Sequence, residues 1–145
     1  MREILFRGKR LDTGEWVEGA YCKHDTVKVC FTTDDPKTKH LIIMDGFCDW
    51  GFDPPLQGVE VDPATVGQYT GLTDKNGKKI FEGDIVSFNR VNALGYTTSR
   101  IGDVRYYDEL PIFYIMATTG DAWDWVDCEK ITVIGNIHDN PELLK

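Results

Sequence analysis

The sequence predicts an all-β fold made of short antiparallel strands. β-Branched and aromatic residues recur in short alternating runs, Gly, Asp, Asn and Pro separate those runs, and almost no segment repeats apolar residues with a helical period. The chain has 145 residues, 41% of them hydrophobic, so one domain or two closely packed halves can bury a core without a metal or disulfide. We expect an N-terminal β region packed with a C-terminal small β-barrel, and one or two single-turn helices.

The first third of the chain predicts four strands. Apolar residues alternate in 4–7, a turn signal follows at 12–15, and a second alternating run covers 16–22. These two runs predict an opening hairpin. Residues 27–31 and 40–44 alternate in the same way and predict two further strands, separated by a polar loop.

The next segment, 45–63, is rich in Gly, Asp, Pro and aromatic residues, which predicts a long connection. We place a boundary near its end at Asp62, which divides the chain into an N-terminal region, 1–62, and a C-terminal region, 63–145. Asp62 followed by proline is typical of a helix start, so one short helical turn is expected through 66–69.

The second half opens with a hairpin turn. Asp74, Asn76 and Gly77 lie between apolar residues, and an Asn-Gly pair in that setting is a strong hairpin signal, with Gly77 supplying a positive φ. Gly83 followed by Asp84 predicts a second sharp turn, in which Asp84 caps a neighbouring backbone amide. We expect these five residues to be structural, because no acid or base partner accompanies Asp84.

Four further strands are expected after these turns, and a last helical turn starts at Asn140 and its following proline. Short antiparallel strands in this number usually close into a small barrel. The predicted strands lie at 85–88, 104–107, 112–118 and 131–137.

The composition disfavours several classes of function. The chain carries 16 Lys and Arg against 24 Asp and Glu, a formal net charge of −8, which disfavours binding to nucleic-acid phosphates and to an anionic membrane surface. The longest apolar run, 112–117, is too short to span a membrane, and no signal-peptide core follows Met1, so we expect a cytoplasmic protein. The four cysteines form no CxxC pair, so we expect reduced, mostly buried thiols and no metal or cofactor.

Two acidic and aromatic segments, 45–53 and 121–129, are the candidate binding regions. If the second segment is extended, its two tryptophans share one face while its carboxylates divide between both faces, which favours a solvated edge or hairpin. For the first segment, whose aromatic residues lie in a Gly- and Asp-rich loop, we favour core cover or an oligomer contact. The alternative is that clustered carboxylates in either segment bind a metal or a small ligand, or perform acid-base chemistry. The candidate interface residues are Trp50, Phe52, Trp123 and Trp125.

A third hypothesis is direct nucleic-acid binding through Arg90, Arg100 and Arg105, with bases stacking on Tyr106 or Tyr107. The same arginines can instead pair with surface carboxylates, which the net charge favours. A related hypothesis reverses the roles, because an acidic chain can mimic nucleic acid and occupy a basic site, although 16 basic residues dilute its negative charge.

Three stretches together resemble the YopX family of small phage and prophage proteins. They are REILFRGKRLDTGEWVEG at the start, VGQYTGLTDKNGKKIFEGDIV in the middle and VIGNIHDNPELL at the end, in the family's order. The resemblance covers nearly the whole chain and is weakest over 24–58. It implies an all-β protein with a Src-homology-3-like small barrel in its second half. It also implies a protein that acts inside an infected or lysogenic host cell.

The resemblance carries over no catalytic residue, so it implies a biological setting without a reaction. The sequence shows no converging triad or ligand cluster, and it places many aromatic residues in acidic loops. We therefore expect a non-enzymatic module that binds an unidentified host or phage protein. Exposed strand edges also favour a homo-oligomer.

Overall fold

A computed structural model of the chain describes residues 3–26, 37–46, 55–91 and 94–145. These residues form eleven β-strands, all paired antiparallel, and three short 3₁₀ turns, with no longer helix among them. The predicted all-β fold is therefore confirmed. The Src-homology-3-like closure of the second half stays a prediction.

The chain divides into two compact units, and the first is Ile4–Gln68. Its strands lie side by side in the order β4-β3-β2-β1. The opening hairpin and the strand expected at 40–44 are both present. The predicted boundary near Asp62 stays a prediction. The four strands are β1 at Phe6–Lys9, β2 at Trp16–Asp25, β3 at Thr38–Asp45 and β4 at Leu56–Glu60.

Strand β4 corrects the prediction of a loose connection over 45–63. Val59 of β4 is buried and pairs with Ile42, a fully buried residue of β3. Gly58 and exposed neighbours interrupt the apolar alternation, and β4 lies at the end of the strand order, so its local signal is weak. The strand predicted over 27–31 lies outside the described residues.

A 3₁₀ turn at Pro63–Thr65 follows β4 near the end of this unit. The Asp62 side chain caps the turn by accepting a hydrogen bond of 3.0 Å from the Ala64 N–H. The helical turn is present where the Asp-Pro signal indicates, but its predicted extension to Tyr69 is wrong. The backbone is already extended at Val66, and the next strand begins one residue later.

The second unit comprises Tyr69–Lys145 and Glu3. It contains a five-stranded sheet in the order β10-β9-β8-β7-β11 and a short hairpin in which β5, whose first two residues belong to the first unit, pairs with β6. Every strand predicted for this half of the chain is present. The strands are β5 at Gly67–Thr73, β6 at Lys79–Phe81, β7 at Asp84–Val91, β8 at Thr97–Tyr107, β9 at Ile112–Ala117, β10 at Ala122–Trp123 and β11 at Glu129–Asn136.

One face of the five-stranded sheet carries the core of this unit. Phe88 of β7, Val104 of β8 and Ile115 of β9 are at most 1% exposed, because alternate residues of neighbouring strands point to the same face. Gly102 of β8 lies in the same region. A Cβ atom at this position would lie 2.5 Å from the Met116 carbonyl oxygen, so β8 and β9 approach more closely there than a side chain permits.

Two 3₁₀ turns occur late in the chain, at Trp125–Asp127 and Pro141–Leu144. The later one is the helical turn predicted near the C-terminus, and it lies against β8. The earlier one shows that 121–129 is not one extended segment, since backbone hydrogen bonds close it into a turn directly after β10. The alternation that would place both tryptophans of this segment on one face therefore does not apply.

Candidate binding groove

Strand β9 is apolar on both of its faces. One face belongs to the core of the unit, and the other carries Ile112, Tyr114 and Met116 at the two-residue period of a strand. Ile112 is 43% exposed. A sheet face that meets water normally alternates to polar residues, so the second apolar face of β9 is unusual.

These side chains line a groove of about 430 Å³. Residues from β10 and from the end of β8 and its following turn complete the groove. The lining is apolar or aromatic except for Asp124. We call this surface the β9 groove, and its main residues are Tyr107, Leu110, Ile112, Tyr114, Met116 and Trp123.

The turn between β8 and β9 positions Tyr107 and Leu110. The Tyr107 hydroxyl donates a hydrogen bond of 2.9 Å to Glu109 Oε2, and its ring meets the Tyr114 ring edge-on, with centroids 6.3 Å apart. The hydrogen bond to Glu109 raises the pKa of Tyr107. Leu110 is 59% exposed, so this part of the groove presents an apolar side chain to water.

Trp123 contacts both the core and the groove. It packs against the core cluster, and the Arg90 guanidinium carbon lies 3.9 Å from the centroid of its ring, a cation–π contact. The Trp123 Nε1 is buried and has no hydrogen-bond partner among the described residues. Trp125 also packs against the core, but its Nε1 donates a 2.7 Å hydrogen bond to the Phe113 carbonyl.

The four candidate interface residues therefore have different positions. Trp123 lines the β9 groove, whereas Trp125 is held by its hydrogen bond to β9 and does not line the groove. Trp50 and Phe52 lie outside the described residues. The assignment of these four residues to an interface stays a prediction.

The chain segment that forms the groove is acidic. Every lining residue comes from 107–127, which holds five carboxylates and no Lys, Arg or His. The last basic residue before this segment is Arg105. It donates to Asp103 from Nε at 2.6 Å and from Nη2 at 3.3 Å, and this hydrogen bonding raises the pKa of Arg105. The groove is thus an apolar surface framed by negative charge.

The carboxylates of 121–129 do not converge on a common point. Among the described residues, no three His, Cys, Asp or Glu side chains are placed to hold one metal ion. Asp121 accepts a 3.1 Å hydrogen bond from the Thr119 hydroxyl, and Asp124 makes no capping hydrogen bond at the 3₁₀ turn that follows it. Most of the other acidic segment, 45–53, lies outside the described residues.

Asp74 is the centre of the turn between β5 and β6, and it is only 6% exposed. Its Oδ1 accepts hydrogen bonds from the N–H groups of Asn76 at 2.8 Å and Lys78 at 3.0 Å, and its Oδ2 accepts one from Val133 at 3.1 Å. Burial raises the pKa of Asp74, but the three backbone hydrogen bonds outweigh it and hold the pKa below its ordinary value. Gly77 has a φ of +82° in the same turn. Asp74 therefore ties this turn to β11.

Gly83 and Asp84 lie in the turn between β6 and β7. Gly83 has a φ of +79°, and its N–H donates to the Val104 carbonyl at 2.9 Å. Its carbonyl accepts a 2.9 Å hydrogen bond from the Ile137 N–H. Asp84 is buried and accepts a 2.8 Å hydrogen bond from the Phe81 N–H. These contacts join turn and strand backbones, and Asp84 contributes to them by capping a backbone amide.

The three arginines considered for nucleic-acid binding do not share one surface. Arg100 and Arg105 lie five positions apart on β8, so their side chains point to opposite faces of the sheet. Arg105 pairs with Asp103, and Arg90 stacks on the Trp123 ring. The described geometry therefore does not bring all three arginines to one face, since Arg105 lies on the face opposite to Arg90 and Arg100.

Two of the four cysteines are described, and both are free thiols. Cys22 is exposed, which corrects the expectation of a buried thiol there, because the last residues of β2 are all exposed. Cys128 is half-buried, and its Sγ lies 3.3 Å from the Asp124 carbonyl. Burial raises the pKa of Cys128 to about 11, so it is a weak nucleophile at neutral pH. Cys30 and Cys48 lie outside the described residues.

The β9 groove was not predicted from the sequence, although part of its signal is present there. The run IFYIMA at 112–117 is apolar at all six positions. A strand with one covered face usually alternates, so an unbroken apolar run in an antiparallel sheet indicates apolar surroundings on both faces. Tyr107 and Leu110 carry no comparable signal, because a turn brings them to the groove.

No helix in the described parts of the chain is both long and apolar enough to cross a membrane. The fold and the groove define an all-β protein that presents an apolar surface on one sheet. The chain belongs to the YopX family, since the family model, described as YopX protein, matches residues 5–145. This match confirms the family resemblance seen in the sequence. No curated protein matches the chain in sequence.

Proposed function

We propose that the chain is a non-enzymatic protein-binding module of phage or prophage origin that acts in the cytoplasm of a host cell. Its partner is a host or phage protein, and the β9 groove receives a part of that protein. The observation that carries the proposal is the second apolar face of β9, where Ile112 is exposed and Tyr114 and Met116 are half-buried, while the first face forms the core.

The chemistry of the groove supports this proposal. Aromatic residues and Met are enriched in the centres of protein interfaces, and the groove combines Trp123, two tyrosines and Met116. Leu110 and Ile112 are both more than 40% exposed and lie in the same groove. A contiguous patch of this kind marks an interaction site more often than scattered apolar residues do.

The groove gives less support to a catalytic function. Asp124 is the single carboxylate that lines it, and no described histidine or lysine accompanies it there. General acid-base catalysis requires a group that exchanges a proton within hydrogen-bond reach of the substrate, with a partner that restores its state. The groove therefore supports binding through apolar contacts better than it supports a reaction.

Capture from infected host cells tests the proposal with three forms of the protein. Wild type, Ile112→Asp and Val126→Asp are immobilised, and captured proteins are identified by mass spectrometry. Both substitutions add a carboxylate at an exposed position of the same unit, but Val126, which is 94% exposed, does not line the groove. The captured partner is then purified, and its affinity for each form is measured by calorimetry.

We expect wild type and Val126→Asp to bind the partner equally and Ile112→Asp to bind it at least about tenfold more weakly, because a charge in an apolar contact is costly to desolvate. Urea denaturation establishes that all three forms are folded. If no partner binds in stoichiometric amounts, or if Ile112→Asp binds it as tightly as wild type, the groove is not the binding surface and the proposal is wrong.

A further inference from the structure

The β9 groove has an apolar floor and an acidic frame. Asp124 lines the groove itself, and Glu109 hydrogen-bonds to Tyr107, another lining residue. Asp108 precedes Glu109 in the turn between β8 and β9. Negative charge is thus present both at this turn and after β10, the two segments that complete the groove around β9.

Positive charge does not balance these carboxylates within the same stretch of chain. Residues 107–127 contain five Asp and Glu and no basic residue. Arg105, just before the stretch, forms two hydrogen bonds with Asp103, so its charge is already paired. Arg90 reaches Trp123 from β7, where its guanidinium group stacks on the indole ring. Arg105 lies opposite Tyr114 on the neighbouring strand, where it is paired with Asp103, so the charges left for a bound segment at the groove are mainly carboxylates.

From this combination we infer that the β9 groove binds a segment of another protein in which a Leu, Ile or Met side chain is flanked by Lys or Arg. The inference rests on the proposed function and names its partner class. The aliphatic side chain contacts Ile112, Tyr114 and Met116, and the basic side chains face the carboxylates at Glu109 and Asp124. Apolar burial supplies affinity, while the charges steer association and select the partner.

The size of the groove and the charge of the chain both favour this occupant. A volume of about 430 Å³ lies near the lower end of the roughly 300–1,000 Å³ typical of ligand pockets, so it suits a few side chains of a short segment. A second copy of this chain is disfavoured, because each copy carries a formal net charge of −8 and like charges repel.

Selection from a displayed library of random short peptides tests the inference on the full-length folded protein. Bound peptides are sequenced, and their affinities are measured for wild type, Asp124→Lys, Ile112→Asp and Asp45→Lys. Asp45 is an exposed carboxylate of β3 that does not line the groove, so Asp45→Lys makes the same change of charge at a residue outside the lining. Sedimentation of wild type alone reports any self-association.

We expect enrichment of peptides that carry Leu, Ile or Met beside Lys or Arg. Their affinity should fall about threefold to tenfold in Asp124→Lys, fall further in Ile112→Asp, stay unchanged in Asp45→Lys and decrease as salt concentration rises. The combined loss in both groove variants, with none in the control, supports the inference.

Three results would overturn it. Peptides without basic residues that lose affinity in Ile112→Asp alone would refute the basic partner class and leave the protein-binding function intact. Failure to enrich any peptide that depends on Ile112 would refute recognition of a short segment, and the separate capture experiment would still decide the proposed function. Self-association that Ile112→Asp abolishes would assign the groove to a second copy of the chain.

Discussion

The two faces of β9 have similar composition and opposite surroundings. The inner face carries Phe113, Ile115 and Ala117, which lie in the core of the unit and are at most 7% exposed. The outer face carries Ile112 and its neighbours at the same spacing, and these residues line the β9 groove. Both faces are apolar, yet only the inner face is fully covered by the rest of the unit.

This difference separates two uses of apolar side chains. Burial of the inner face removes apolar surface from water during folding and so stabilises the unit. The outer face contributes less to folding, because its side chains remain partly in contact with water in the folded chain. Apolar composition alone therefore does not locate the core, and the position of the covering elements decides which face is core and which is available for binding.

The largest expected effect distinguishes these two faces directly. Ile115→Ala should lower the free energy of unfolding by about 2–5 kcal/mol, because it leaves a cavity in a fully buried site. Ile112→Ala should lower it by less than about 1 kcal/mol, because the side chain is partly exposed and its neighbours already meet water. Urea denaturation followed by tryptophan fluorescence measures both, and equal losses would show that the outer face is as important for folding as the inner one.

A comparison of two carboxylates extends the same contrast to polar groups. Asp74→Ala should cost about 2 kcal/mol or more, because it deprives three backbone N–H groups of their acceptor in a buried turn. Asp124→Ala should change the free energy of unfolding by no more than about 0.5 kcal/mol, since this exposed residue makes no capping hydrogen bond. The same denaturation assay applies, and a small loss for Asp74→Ala would mean that water replaces its hydrogen bonds.

Two glycines provide a smaller and purely steric version of this comparison. Gly102→Ala should cost about 1–3 kcal/mol, because its Cβ would lie 2.5 Å from the Met116 carbonyl oxygen and β8 and β9 would have to move apart. Gly120→Ala, in the open turn after β9, should cost about 1 kcal/mol, which is the penalty of a φ of +88° for alanine. Thermal denaturation ranks the two variants, and the reverse order would refute the close approach of β8 and β9.

Much of the fold could be predicted because its signals are local. The Asn-Gly turn after Asp74, the Asp-Pro start of the first 3₁₀ turn and the alternating runs of the second half each specify their structure within a few residues. Strand β4 was missed, because Gly58 interrupts its alternation and its pairing with β3 depends on residues far away in the sequence. The turn at Trp125–Asp127 was missed because the segment reads equally well as an extended strand.

The candidate site was harder to predict than the fold, for a physical reason. The run at 112–117 shows that β9 is apolar on both faces, but the sequence does not show which face the other strands cover. The groove also depends on Leu110, whose position is set by the turn between β8 and β9. A groove is a product of several elements in space, and periodicity describes one element at a time.

The smallest expected effect is the pH dependence that Asp74 contributes. Its pKa in the folded chain lies below the ordinary value of 3.8, because backbone hydrogen bonds outweigh the opposing effect of burial. The unfolded chain therefore binds a proton at this carboxyl more readily, so the stabilisation is fully present above the unfolded pKa and is lost as pH falls through the folded pKa.

Asp74→Asn tests this contribution. The asparagine side chain cannot ionise, so the variant lacks the pH-dependent stabilisation, while its amide oxygen can still accept a hydrogen bond. The gap in free energy of unfolding between wild type and Asp74→Asn should thus be widest near neutral pH and narrow as the pH falls through the lowered pKa of Asp74. Asp12, whose pKa is lowered to about 2 by the hydrogen bond from Arg10, titrates in both proteins and cancels in this difference. Urea denaturation across this pH range measures the gap, and a gap that stays constant would show that the hydrogen bonds to Asp74 do not favour its charged form.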